Sequence, residues 1–140
     1  MTSLSPITVS VTVRAPLAKV WQCWTEPAHI MQWNAAADDW HTPRATNDLH
    51  EGGKFTSRME AKDGSMGFDF EGVYSKVVTQ KEIAYTMSDG RKVTVSFGDK
   101  GTETLVAETF DPESENSPEI QKVGWQSIMD NFKKYAESQK

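Results

Sequence analysis

The C-terminal segment constrains this chain most. Ser117 offers a side-chain oxygen to cap a helix, and Pro118 supplies the fixed φ of a first helical position. Beyond them Ile120, Gly124, Ile128, Phe132 and Tyr135, flanked by Val123, Trp125 and Met129, recur at helical spacing. A helix over residues 118–138 runs roughly 30 Å, long enough to cross a sheet. An apolar face of that length has to be covered, and the rest of the chain must supply the cover.

The preceding sequence reads mainly as strands. Ile7, Val9, Val11 and Val13 alternate with Thr8, Ser10 and Thr12, the period of a half-buried strand over residues 7–13. Pro16 opens a helical stripe of Leu17, Val20, Trp21 and Trp24. Pro27 ends that helix and starts a second short one carrying Ile30 and Trp33. Together they form a helix–turn–helix insert over residues 16–33. Residues 34–50 read as a long irregular loop, and loops of that length are commonly functional.

The strand period returns after Gly52-Gly53, with Phe55, Ser57 and Met59 opposed to Thr56, Arg58 and Glu60. Asp63-Gly64 and Asp89-Gly90 are hairpin turns, and Asp99-Lys100-Gly101 is a third turn. They separate strands over residues 67–78, 82–87, 91–97 and 102–110. Gly72 inside the longest strand suggests a bulge or bend, which leaves the face of Asp69 and Glu71 open. Residues 111–118 are a polar linker. The expected architecture is α+β: a curved antiparallel sheet of about six to seven strands gripping the last helix, in a single domain spanning residues 1–140. One helix cannot fill the concave side of a strongly curved sheet, so a cavity is expected between them.

Composition excludes several classes. The net charge of −5 and a pI near 5.2 disfavour a nucleic-acid partner, which demands a basic face. A lone cysteine, Cys23 in a Trp-rich helix, rules out an internal disulfide framework and reads as a buried, inert thiol. No secretory signal and no long apolar run are visible, so a cytoplasmic protein without membrane insertion is expected.

Ala15-Pro16 with Val20-Trp21, Trp33, Glu51-Gly52-Gly53-Lys54-Phe55, Phe70-Glu71-Gly72 and Gly124-Trp125 follow one another in a distinctive order. In these pieces, from about Ile7 to Ala136, the chain resembles the activator of heat shock protein 90 ATPase homologue-like family. That family lies within the START/Bet v 1-like (polyketide cyclase and lipid-transport) superfamily. The resemblance implies a helix-grip fold that serves as a container for apolar small molecules. Its relatives include lipid carriers, aromatic-ligand binders and cyclases. It also implies a chaperone as a conceivable partner, although the activator that gives the family its name uses an additional N-terminal domain.

Three functional readings follow. The first is binding or carriage of a small apolar or aromatic molecule without a cofactor. Its expected lining is Trp33, Trp40, Phe55, Met59, Phe68, Phe70, Tyr74, Tyr85, Met87, Trp125, Met129 and Phe132, with Trp33, Trp40 and His41 at the mouth. The second is a cyclase- or hydratase-like enzyme using Glu71, Asp69 or His41 as acid–base groups, with Arg58 as a partner for an inward Glu71. The third is a chaperone-interacting regulator. Asp38, Asp39, His41, His50 and Glu51 are metal-ligating residue types, but their spacing matches no metal site, and none is expected. No nucleophile elbow and no phosphate-binding glycine loop is present.

Overall fold

A computed structural model describes residues 5–35 and 37–139. Residues 1–4, Ala36 and Lys140, which belong to the expected domain and in one case to the expected loop, lie outside the described residues. The chain runs β1 (Ile7–Val13), α1 (Leu17–Thr25), α2 (Pro27–Trp33), β2 (Trp40–Asn47), β3 (Lys54–Ala61), β4 (Gly67–Val78), β5 (Glu82–Met87), β6 (Lys92–Asp99), β7 (Thr104–Phe110) and α3 (Pro118–Ser138). The strands form one seven-stranded antiparallel sheet in the order β1-β7-β6-β5-β4-β3-β2. Strands β2 to β7 are a meander. The α1–α2 pair carries the chain from one edge of the sheet to the other.

The inward residues follow the period of two. Val9, Val11 and Val13 of β1, Ile83, Tyr85 and Met87 of β5, Val93, Val95 and Phe97 of β6, and Val106 and Phe110 of β7 are all buried. Burying each such side chain contributes about 1.5–3 kcal/mol. Trp21 and Trp24 meet Phe97 edge-on, and Trp24 and Trp33 both meet Phe132 of α3 at 4.9 Å. Trp33 also donates its indole N–H to the Cys23 carbonyl at 2.9 Å, which fixes α2 against α1. Cys23 is fully buried, and burial pushes its thiol pKa up.

Helix α3 is capped as its sequence predicts, with the Ile120 N–H donating to Ser117 Oγ. It packs along β1 and against α1 and α2 rather than over β3 and β4. Polar clamps hold it there: Gln126 Nε2 donates to the Ser10 carbonyl and Lys133 Nζ to the Thr12 carbonyl. Its apolar stripe is wider than the surface it buries. Ile120 and Val123, on the first turns, remain 64% and 67% exposed.

Two expectations are corrected, and one open point is decided. The loop over residues 34–50 contains a strand, β2, whose register shifts between His41 and Arg44. Pro43 sits in that shift, on the edge strand, where a missing N–H does the least harm. Its presence and the weak alternation hid the strand. Gly72 is not the bulge of β4, which falls instead between Tyr74 and Lys76. Gly72 is required by crowding: a Cβ there would lie 2.8 Å from the Phe55 ring and 2.9 Å from the Thr86 carbonyl. Asp69 and Glu71 lie on the exposed convex side, while Phe70, Gly72 and Tyr74 face inward.

Candidate functional site

Because α3 is held toward β1, the concave side of β3, β4 and β5 is left uncovered by the helix. A cavity of about 500 Å³ occupies the space between them. Aromatic rings form much of its wall. Phe55 meets Tyr85 edge-on at 4.7 Å and Tyr74 at 5.4 Å, and Phe70 bridges from Tyr85 to Trp125. Trp125 in turn stacks on Phe110. Trp40 and the exposed Phe68 lie 6.0 Å apart at the rim.

Of the residues expected to line the cavity, Trp33, Trp40, Phe55, Met59 and Phe68 do so, as do Phe70, Tyr74, Tyr85 and Trp125. Met87, Met129 and Phe132 do not: they are buried in the core away from it. Phe132 is enclosed by Trp24 and Trp33, so its ring is spent on packing α3. The expected mouth residues divide between the cavity and an adjoining groove. Trp33 is buried and Trp40 half-buried, and both line the cavity and the groove, while exposed His41 borders only the groove between α2, β2 and the end of α3.

The acid–base candidates all fall outside the cavity. Glu71 accepts a long hydrogen bond from Thr56 Oγ1 at 3.5 Å on the exposed face. Arg58 does not pair with Glu71. It reaches Glu60 at 2.9 Å and Asp69 at 3.4 Å, and the guanidinium holds the Glu60 carboxyl below the usual range. His41 stands opposite Glu60 across the β2–β3 ladder. His50 pairs with Asp48 at 3.0 Å in solvent, and no cluster of three metal-ligating side chains occurs among the described residues.

The interior carboxylate is one that the sequence reading passed over. Glu108 of β7 points into the cavity, 6% exposed, in phase with buried Val106 and Phe110. Burial alone pushes its pKa up to about 8, so near neutral pH it is largely a carboxylic acid. The signal was its phase: an acidic residue occupies the apolar register of an otherwise inward-facing strand. Tyr85, also on the cavity wall, is held well above the ordinary tyrosine pKa by burial and by Glu108. Arg91 completes that end, its Nε on Asp89 at 2.7 Å.

Two further polar residues shape the cavity. Asn47 links three elements: it accepts from Tyr74 Oη at 2.5 Å and donates to the Thr25 carbonyl at 2.6 Å. Buried Gln121 donates to the Glu113 and Asn116 carbonyls and accepts from the Glu113 N–H, fastening the linker before α3 along the cavity's end.

A curved sheet gripping one long helix around an aromatic cavity is the helix-grip architecture of START/Bet v 1-like proteins. Over residues 14–137 the sequence matches the family described as Activator of Hsp90 ATPase homolog 1-like protein, and the chain belongs to that family. Two solved structures support this. The AHSA1-like protein from Aeromonas hydrophila is 42% identical, with 94% of this chain and 93% of that one covered at a TM-score of 0.86. A Cytophaga hutchinsonii protein is 55% identical, with 94% and 92% covered at a TM-score of 0.82. A Nitrosomonas europaea protein is 16% identical over 99% of this chain and 100% of that one, with a TM-score of 0.82, and shares the fold. No curated protein matches the sequence. No helix among the described residues is long and apolar enough to cross a membrane.

Proposed function

We propose that this protein binds and carries a small, largely apolar aromatic molecule in the cavity between its sheet and α3. The observation that carries the reading is the cavity of about 500 Å³ walled by aromatic rings. That volume lies within the range of small-molecule sites, and the mix of an apolar wall with a few inward polar groups is the usual composition of such sites. Met59 and the exposed Phe68 add adaptable surface near the rim. The acid–base set of Glu71, Asp69 and His41 supports no reaction in the cavity, since none of the three lines it.

The test is an amide and indole NMR titration of the full chain with naphthalene-sized aromatics. Saturable shifts confined to Trp125, Phe70, Tyr85 and their neighbours support the reading. Shifts absent there at the solubility limit of the whole series would overturn it.

A second reading, regulation of a chaperone ATPase, draws on the family's description and on the adjacent exposed Ile120 and Val123 of α3. It expects a changed ATPase rate on addition of the protein, and loss of that change in the Ile120→Ser/Val123→Ser variant. An unchanged rate at saturating protein rejects it.

A further inference from the structure

The next inference rests on the ligand-binding reading and concerns the chemistry of the ligand. The sheet register sets the geometry. Tyr85, Val93 and Phe110 lie side by side across β5, β6 and β7, and the neighbouring row on the same face is Ile83, Val95, Glu108 and Val9. Val95 and Val9 are sealed in the core, and Ile83 is an apolar residue of the cavity wall. Glu108 shares their row, yet its carboxyl has no hydrogen-bond partner among the described residues. The same holds for the Tyr85 hydroxyl and for Ser57 Oγ, on side chains 7% and 4% exposed. All three border the cavity, and none of their polar atoms is fully enclosed.

Setting a carboxyl or hydroxyl in a largely apolar wall with no protein partner costs part of its hydration. Packing gives no reason to place a carboxyl in a row of valine and isoleucine, because an apolar side chain of similar size would serve better. The cost makes sense where the group faces something that it must recognise. We propose that Glu108 and Tyr85 are the polar recognition point of the cavity, donating hydrogen bonds to an acceptor oxygen, such as a carbonyl, on a neutral ring-shaped ligand.

Charge decides the class. Arg91 lines the same end, so a cationic ligand would meet a cation there. The other titratable groups on the cavity are Tyr74, whose hydroxyl is committed to Asn47, and Glu113 on the linker before α3. None supplies a counter-ion to Glu108, whose raised pKa has burial as its one cause. The carboxyl therefore keeps a proton to donate near neutral pH, as acids in apolar sites do. Tyr85 keeps its proton throughout that range.

The experiment compares acetylnaphthalene with its isosteric hydrocarbon isopropenylnaphthalene, by tryptophan fluorescence titration of the full chain. At about pH 6 the ketone is expected to bind about tenfold tighter, the equivalent of one well-made buried hydrogen bond. The preference should fall as pH rises past about 8, where the carboxylate can no longer donate. Glu108→Leu should abolish it while hydrocarbon binding persists. Tyr85→Phe should reduce it, and provides a second variant should Glu108→Leu fail to fold. Equal binding of the two compounds, or a preference untouched by both variants and by pH, overturns the assignment while leaving the cavity reading intact. Tightest binding by naphthylethylamine would overturn it in favour of a counter-ion role. If neither uncharged compound binds, the cavity reading fails and this inference falls with it.

Discussion

Trp125 of α3 lies flat on Phe110 of β7, ring centroids 3.9 Å apart and planes 8° from parallel. The stack ties the long helix to the sheet at the edge of the cavity, since Phe110 is fully buried and Trp125 is a wall residue. Trp125→Ala removes both the stack and the edge contact with Phe70. The expected cost is about 2–4 kcal/mol, at the lower side for a buried aromatic because the site already borders open volume. Trp125→Phe should recover at least half. Urea denaturation followed by far-UV circular dichroism measures both.

Glu108 makes stability depend on pH in a direction opposite to most carboxylates. Its folded pKa, about 8, lies above the unfolded value of 4.5, so the folded state holds more protons between those limits. Stability should therefore fall as pH rises from about 4.5 to about 8 and level off above, by at most about 1.4 kcal/mol per pH unit. Glu108→Gln removes this slope. The variant should match the wild type near pH 4.5 and exceed it by a few kcal/mol at pH 8.5. Thermal melts across that window check it, and a wild-type curve as flat as the variant's would show that the carboxyl is solvated.

The fold was legible wherever alternation and punctuation agreed. Val9, Val11 and Val13 announce β1, and glycines with positive φ at Gly64, Gly90 and Gly101 sit in the hairpin turns that the sequence marks. β2 escaped because Pro43 contradicts a strand unless the strand is known to be an edge, and that is a property of the whole sheet. On β4 the apolar residues do not keep to one face: Val73 is exposed while Phe70 and Tyr74 turn inward, so the side of Glu71 could not be read locally. The wall aromatics were legible as inward residues. Which of them face open space was not, because Met129 and Phe132 have the same periodicity as Trp125 and differ only in what α3 lies against.

The Glu51-Gly52-Gly53 turn has a structural reason that separates its glycines. The Gly52 N–H donates to the Tyr74 carbonyl, and the Tyr74 N–H donates back to the Gly53 carbonyl, so the turn fixes the strand that carries a cavity tyrosine. A Cβ on Gly53 would lie 2.1 Å from the Asp48 carbonyl oxygen. That atom is backbone and cannot swing aside. Gly53→Ala is expected to cost about 3 kcal/mol or more, through overpacking and loss of the turn. Gly64→Ala, at a positive φ of 79° with open space around it, should cost only about 1–2 kcal/mol. Guanidinium denaturation of the two variants side by side tests the ranking.

Gly124 presents the reverse case. It sits inside α3, where glycine is about 1 kcal/mol worse than alanine, and a Cβ there would meet nothing within 4 Å. Crowding therefore does not require it, yet it lines the cavity beside Trp125. Gly124→Ala should raise stability by about 0.5–1 kcal/mol with little effect on binding. Gly124→Leu should keep the fold, because its side chain enters space rather than atoms, while weakening acetylnaphthalene binding by about tenfold or more through lost cavity volume. Both outcomes are read from the same samples, by thermal melts and by fluorescence titration. A Leu variant that binds as well as the wild type would place the ligand elsewhere than under this turn of α3.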